Sequence, residues 1–244
     1  MKLLIIRHGD PDYVNDTLTE KGWKEAELLS DMLENYNIKD IYVSPLGRAK
    51  DTASLTLKKL NKEEVICDWL REFNLKLINR PDVSDKRKIP WDWLPEDLAK
   101  RPWLYDKKEW LNDEIIKEGE VDKEYISVIE EFDKLLEKHG YKRDGDFYKV
   151  IKPNNDTIAF FCHFGLESVL LSHLMNVSPF ALWHHTCAAP TSVTTVRTEE
   201  RREGKALFRI SSFGDISHLY ARHEIESESA RFCECYGNTE ERHD

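Results

Sequence analysis

Directly after Met1 and Lys2 the chain places four consecutive apolar residues, Leu3 to Ile6, and then Arg7, His8 and Gly9 with no spacer. A short apolar run bounded by a turn signal reads as a strand buried on both faces, and such strands belong to sheets covered by helices. An arginine beside a histidine has no place in that core, so the strand must end where polar chemistry is wanted. The pattern recurs. "IYVS" runs into Pro45, Leu46, Gly47 and Arg48, and "DTIAFFC" runs into His163, Phe164 and Gly165. Helix-period segments separate these strands, and the alternation predicts an α/β fold: a three-layer α/β/α sandwich around a mostly parallel central sheet.

In "LTEKGWKEAELLSDMLENY", Trp23, Ala26, Leu29, Leu33 and Tyr36 recur at helical spacing, Thr19 is placed to cap, and Leu18 with Trp23 to staple the entry. Ala49, Ala53, Leu57 and Leu60 mark the inner face of a second helix. "EEVICDWL" reads as a third strand, and "SVTTVRTEE" with "KALFRISSF" as a hairpin turning through "ERREG". From about residue 79 to 155 the composition changes to four tryptophans, many charges and one strong helix, "KEYISVIEEFDKLLEKHG". We read one domain over 1–244 with a mainly helical insertion there, its tryptophans as packing, and a polar tail from about residue 224.

A formal net charge of −10 argues against a nucleic-acid binder but allows a locally positive pocket for a small anion. "MKLLII" is too short for a signal-peptide core, and no apolar run reaches membrane-spanning length. Five cysteines, an odd number, do not read as a disulfide framework, which points to a reducing cytoplasm. The Cys233–Cys235 pair alone is weak support for a metal site.

In open α/β sheets ligands sit beyond the carboxyl ends of the strands, where Arg7, His8, Arg48 and His163 fall, with Glu72 of "WLREF" as a fourth arrival. Two guanidinium groups beside two imidazoles are costly to bury unless an anion completes the set. The arginine fork matches phosphate oxygens, so the anion is most simply a phosphoryl group.

The motifs resemble the histidine phosphatase superfamily, which includes phosphoglycerate mutases and small-molecule phosphatases. Arg7-His8-Gly9 matches its opening motif, Leu18–Gly22 its "LTxxG", Ser44–Ala53 its "SPLxRAxxTA" and Glu72 its acid residue. His163 matches its second histidine, and Gly214–Leu219 the closing "GDxSHL" of many phosphatase members. The family's usual Glu or Gln after Arg-His-Gly is replaced by Asp10, and the mutase asparagine position holds Val14, with Asn15 one further on as the candidate phosphate ligand.

The resemblance implies a phosphoglycerate mutase-like fold with the insertion as a lid. It also implies a phosphoric monoester hydrolase acting on a small phosphorylated metabolite. His8 would carry the phosphoryl group, Arg7, Arg48, His163 and the backbone near Phe164 would hold its oxygens, and Glu72 would be the general acid and base. No metal or other cofactor is called for. A mutase returning the phosphoryl group to bound product, and an inactive phosphate-binding module on the same fold, stay open beside it. Arg80, Lys86, Arg87 and Arg101 either grip a second anionic group or form solvated surface.

Overall fold

β1 (Lys2–Arg7) alternates strictly in direction. Leu3 and Ile5 enter one hydrophobic cluster, while Leu4 and Ile6 enter another on the opposite face of the sheet. That two-sided burial is what an uninterrupted apolar strand requires, and it makes the three layers. The computed structural model describes residues 1–82, 86–230, 235 and 237.

A two-residue ladder of β2 (Pro11–Asp12) and β3 (Thr17–Leu18) follows β1, and then α1 (Glu20–Leu33). Thr19 caps α1 as its sequence position predicts, its hydroxyl accepting from the Gly22 N–H. Leu29 and Leu33 pack on the Leu4 face, Leu18 is buried, and Trp23 is 38% exposed. β4 (Ile38–Val43), α2 (Gly47–Leu60) and β5 (Glu64–Ile66) come next. β5 is shorter than its sequence suggests and exposed throughout, because it closes the edge of the sheet.

On the opposite face lie α3 (Pro95–Ala99), α4 (Glu114–Glu118) and α5 (Val121–Lys138), with short 3₁₀ turns at Pro102–Tyr105 and Glu109–Asn112. Trp93 and Trp110 share one cluster with Phe132 of α5 and with Leu3 and Ile5. The sequence reads this region as mainly helical, yet β6 (Tyr141–Asp144) and β7 (Phe147–Val150) form a hairpin that extends the sheet. Each is four residues of mixed polarity, too short and too wet for a periodicity signal.

β8 (Thr157–Cys162), α6 (Phe164–Met175), α7 (Phe180–Trp183), β9 (Val193–Arg202), β10 (Lys205–Asp215) and α8 (Ser217–Tyr220) complete the order. The eight-stranded sheet runs β5-β4-β8-β1-β9-β10-β7-β6. Three of its seven neighbouring pairs are parallel (β5/β4, β4/β8 and β8/β1) and the other four antiparallel. The sheet is therefore mixed where a mostly parallel one is predicted. The two hairpins, β9–β10 and β6–β7, supply the antiparallel half.

Register then sets the site. Arg7 pairs with Cys162 and Val43 with Phe161, so β1, β4 and β8 end level. Their next residues leave the sheet together: the His8 N–H donates to Cys162 O and the Ser44 N–H to Phe161 O. Among the described residues no helix is long and apolar enough to cross a membrane. Cys233 lies outside the described residues, and Cys235 is exposed.

Candidate active site

The rings of His8 and His163 face each other across the level strand ends, their centroids 5.1 Å apart and their planes at 56°. His8 is 2% exposed and His163 fully buried. His8 Nδ1 lies 2.7 Å from the carbonyl oxygen of Gly9. A carbonyl only accepts, so the proton of the neutral ring sits on Nδ1 and the lone pair on Nε2. His163 Nε2 is 2.7 Å from Ser44 Oγ. With that hydroxyl donating, the His163 proton sits on Nδ1, a buried atom with no partner.

Burial, followed by the charges of Arg7 and Arg48, pushes the His8 imidazole well below its ordinary value of 6.5. His163 is lowered in the same direction by burial and by His8, Arg48, Arg7 and Arg71. Both rings are therefore neutral near pH 7.

The arginines are held from behind. Arg7 donates from Nη1 to Ala188 O (2.5 Å) and from Nη2 to Ser229 O (3.3 Å). Arg48 donates to Asp16 Oδ1 at 2.7 Å, and Asp16 also accepts the Gly47 N–H. A side chain at Gly47 would place Cβ 2.0 Å from Asp16 O, so only glycine allows this approach at the start of α2. Nε of each arginine is buried without a partner. Two unspent guanidinium donors and one unspent imidazole donor meet in one place, the arrangement that an oxyanion satisfies.

Glu72 is buried, and its Oε1 accepts from the Phe73 N–H (2.8 Å) and from the Leu166 N–H of α6 (3.1 Å). Burial raises its carboxyl above the ordinary 4.5 against those donors and the arginine charges. Glycine is again required opposite it. A Cβ on Gly165 would lie 2.6 Å from Glu72 Oε1 and from Trp91 Nε1.

Five of the seven predicted site residues thus converge: Arg7, His8, Arg48, Glu72 and His163. Phe164 adjoins them, its ring edge-on to Trp91. In the first turn of α6, the Leu166 N–H is already engaged by Glu72. Asn15 does not join them; it is exposed and donates to Asp12 at 2.7 Å. Asp12 also accepts the Val14 and Asn15 N–H groups, which holds this turn outward. His218, within the Gly214–Leu219 motif, donates to Thr191 Oγ1 at 3.1 Å, and the Thr191 N–H donates to His8 O.

Above the site lies a cavity of about 430 Å³ lined by Arg48, Glu72, Arg71, Asn74, Tyr13 and Trp91, among others. Sequence reasoning missed Tyr13, Arg71 and Trp91. Arg71 adjoins Glu72 in the chain and was readable there; Trp91 was assigned to packing. The basic residues that the sequence offered for a second anion are otherwise engaged or exposed. Arg80 is buried against Asp82 and Asp92, Arg101 pairs with Asp113, Arg87 reaches Asn79, and Lys86 is exposed.

The model of the histidine phosphatase superfamily (branch 1) matches residues 3–134. A 2,3-bisphosphoglycerate-dependent phosphoglycerate mutase of Thermoplasma acidophilum is 37% identical over 82 residues, which is 30% of this chain and 41% of that protein. The match thus spans well under two thirds of that relative's length. Among solved structures, a phosphoserine phosphatase variant from Entamoeba histolytica in complex with phosphoserine aligns with a TM-score of 0.55 at 18% identity, over 89% of this chain and 98% of that one. A mycobacterial glucosyl-3-phosphoglycerate phosphatase gives 0.53 at 17%, over 87% and 98%. At such identities the likeness is one of fold.

Proposed function

The chain belongs to the histidine phosphatase superfamily, branch 1, and from that membership we propose that it hydrolyses a small-molecule phosphate monoester through a phosphohistidine on His8. The observation that carries the reading is the Gly9 carbonyl on His8 Nδ1, which leaves Nε2 as a neutral nucleophile beside the unspent donors of Arg7, Arg48 and His163. Nε2 attacks phosphorus in line, the P–N bond forms as the ester P–O bond breaks, and Glu72 gives its proton to the leaving alkoxide. The arginines and the His163 Nδ1–H hold the three nonbridging oxygens as charge spreads over them. Glu72, now a carboxylate, takes a proton from water as it attacks the phosphohistidine. Inorganic phosphate leaves and the starting state returns.

Incubation with p-nitrophenyl phosphate should release phosphate, and His8→Ala should lower turnover by about 10⁴-fold or more, as loss of a covalent nucleophile does. Brief turnover quenched in alkaline detergent should leave an acid-labile, base-stable phosphoryl group on the wild type alone. An active His8→Ala protein would end this reading.

The deep burial of both histidines favours a second outcome at the same centre, return of the phosphoryl group to bound product with water excluded. Isomer formation in excess of free phosphate from a phosphorylated hydroxy acid would establish it.

A further inference from the structure

Arg71 sits on the wall of the 430 Å³ cavity, which Glu72, Tyr13 and Trp91 also line. Its Nε is buried without a hydrogen-bond partner, and among the described residues no carboxylate lies within ion-pairing distance of it. The other two arginines at this end are held from behind, Arg7 by two backbone carbonyls and Arg48 by Asp16, and their unspent Nε donors belong to the phosphate cradle. Glu72, its chain neighbour, turns its Oε1 to the Phe73 and Leu166 N–H groups. A guanidinium left half-buried without a counter-charge is costly, and the cavity is where that charge can be met.

Arg71 also stands outside the phosphate cradle. The charges that lower His8 are those of Arg7 and Arg48, whereas Arg71 comes last among the influences that lower His163. Its place is over the part of the substrate beyond the phosphorus. The surrounding wall is Leu46, Leu75, Ile89 and Trp91, with Asn74 as a neutral polar group. One guanidinium with one amide matches a single planar monoanion better than a second phosphate dianion.

We propose that Arg71 binds a carboxylate on the substrate, so that the preferred substrates are phosphorylated small acids. The inference rests on the hydrolase reading above. It assigns Arg71 to specificity, leaving the chemistry to His8 and Glu72.

O-phosphoserine and phosphoethanolamine differ only by the carboxylate and make the test. The wild type should favour phosphoserine in kcat/KM by about 10- to 100-fold, the range of a hydrogen-bonded charge pair. Arg71→Met should remove that preference mainly through KM, leaving phosphoethanolamine turnover within about threefold, and Arg71→Lys should keep part of it, since lysine retains the charge but not the fork. Activity of Arg71→Met on phosphoethanolamine is its own control for folding. Equal rates on both substrates in the wild type, or an equal loss on both in Arg71→Met, would overturn the assignment while leaving the hydrolase reading intact. A wild type that releases phosphate from neither compound nor from p-nitrophenyl phosphate would overturn the hydrolase reading and this inference with it.

Discussion

At the scale of single residues the site works by pushing two kinds of acid in opposite directions. Burial lowers His8 and raises Glu72, so the active form, neutral imidazole with protonated carboxyl, occupies the pH window between them. Activity should therefore persist on the acid side of pH 6.5, where an ordinary histidine would be protonated, and fall on the alkaline side as Glu72 ionises. Glu72→Gln should remove the alkaline limb of kcat/KM. It should cost about 10²–10³-fold with an alkyl phosphate, the usual size of lost proton transfer, and less with p-nitrophenyl phosphate, whose leaving group needs little protonation. A retained alkaline limb would assign that proton to another group.

Glu167, one turn into α6, is a buried carboxyl that the chemistry does not use; burial raises it to about 7 against the Thr194 hydroxyl and the Arg7 charge. Between pH 4.5 and about 7 the native state keeps a proton that the unfolded chain has released, so this group's contribution to stability is full below 4.5 and is lost as pH rises to 7. The shift corresponds to at most about 3 kcal/mol. Urea midpoints for Glu167→Gln should accordingly be less pH-dependent between pH 5 and 8 than those of the wild type. Parallel curves would show that Glu167 ionises freely in the native state.

At the scale of elements, what the sequence disclosed depended on whether a segment is buried on both faces. β1, β4 and β8 announced themselves because their apolar runs end abruptly in polar residues, and those same ends carry Arg7, Ser44 and His163. α1 and α2 were legible from their spacing and from Thr19. The β6–β7 hairpin was not, because its eight strand residues include lysine, arginine and aspartate and sit on an edge. Asn15 was misplaced because sequence proximity to His8 says nothing of the outward turn that Asp12 imposes. Arg71 was passed over although its place beside Glu72 was legible, because only the fold shows that both line one cavity.

The junction of β8 with α6 is where element geometry meets chemistry, since Gly165 leaves room for Glu72 and Trp91 while Trp183 donates to its carbonyl at 2.9 Å. Gly165→Ala should displace the Glu72 carboxyl. We expect turnover of an alkyl phosphate to fall about tenfold or more, as misplacement by a fraction of an ångström does, with a smaller loss on p-nitrophenyl phosphate. Equal losses on both would place the damage in the phosphate cradle.

At the scale of the whole molecule, the far end of the described chain returns to its beginning. Asp10 accepts hydrogen bonds from the hydroxyls of Thr19, Ser227 and Ser229; the Ser229 carbonyl accepts from Arg7, and Lys21 donates to Glu226 O. The polar tail that begins near residue 224 is thus, as far as Ala230, part of the wall behind the active site, for a polar segment can be held by hydrogen bonds as well as by apolar burial. Burial alone would raise the Asp10 carboxyl, but the three hydroxyls together hold it below its ordinary 3.8. The stability that it lends is therefore present above pH 3.8 and lost as pH falls below that value. Replacing both serines in Ser227→Ala/Ser229→Ala should cost about 1–2 kcal/mol at pH 7, after discounting for partial exposure, and the difference from wild type should shrink below pH 4. Hydrogen–deuterium exchange should quicken across residues 224–230 while the strands of the sheet stay protected, since the local opening free energy falls without change to the core. Because Arg7 keeps its bond to Ala188 O, turnover should fall less than the segment loosens. Unchanged exchange at 224–230 would mean that contacts other than those to Asp10 hold this segment against the opening loop.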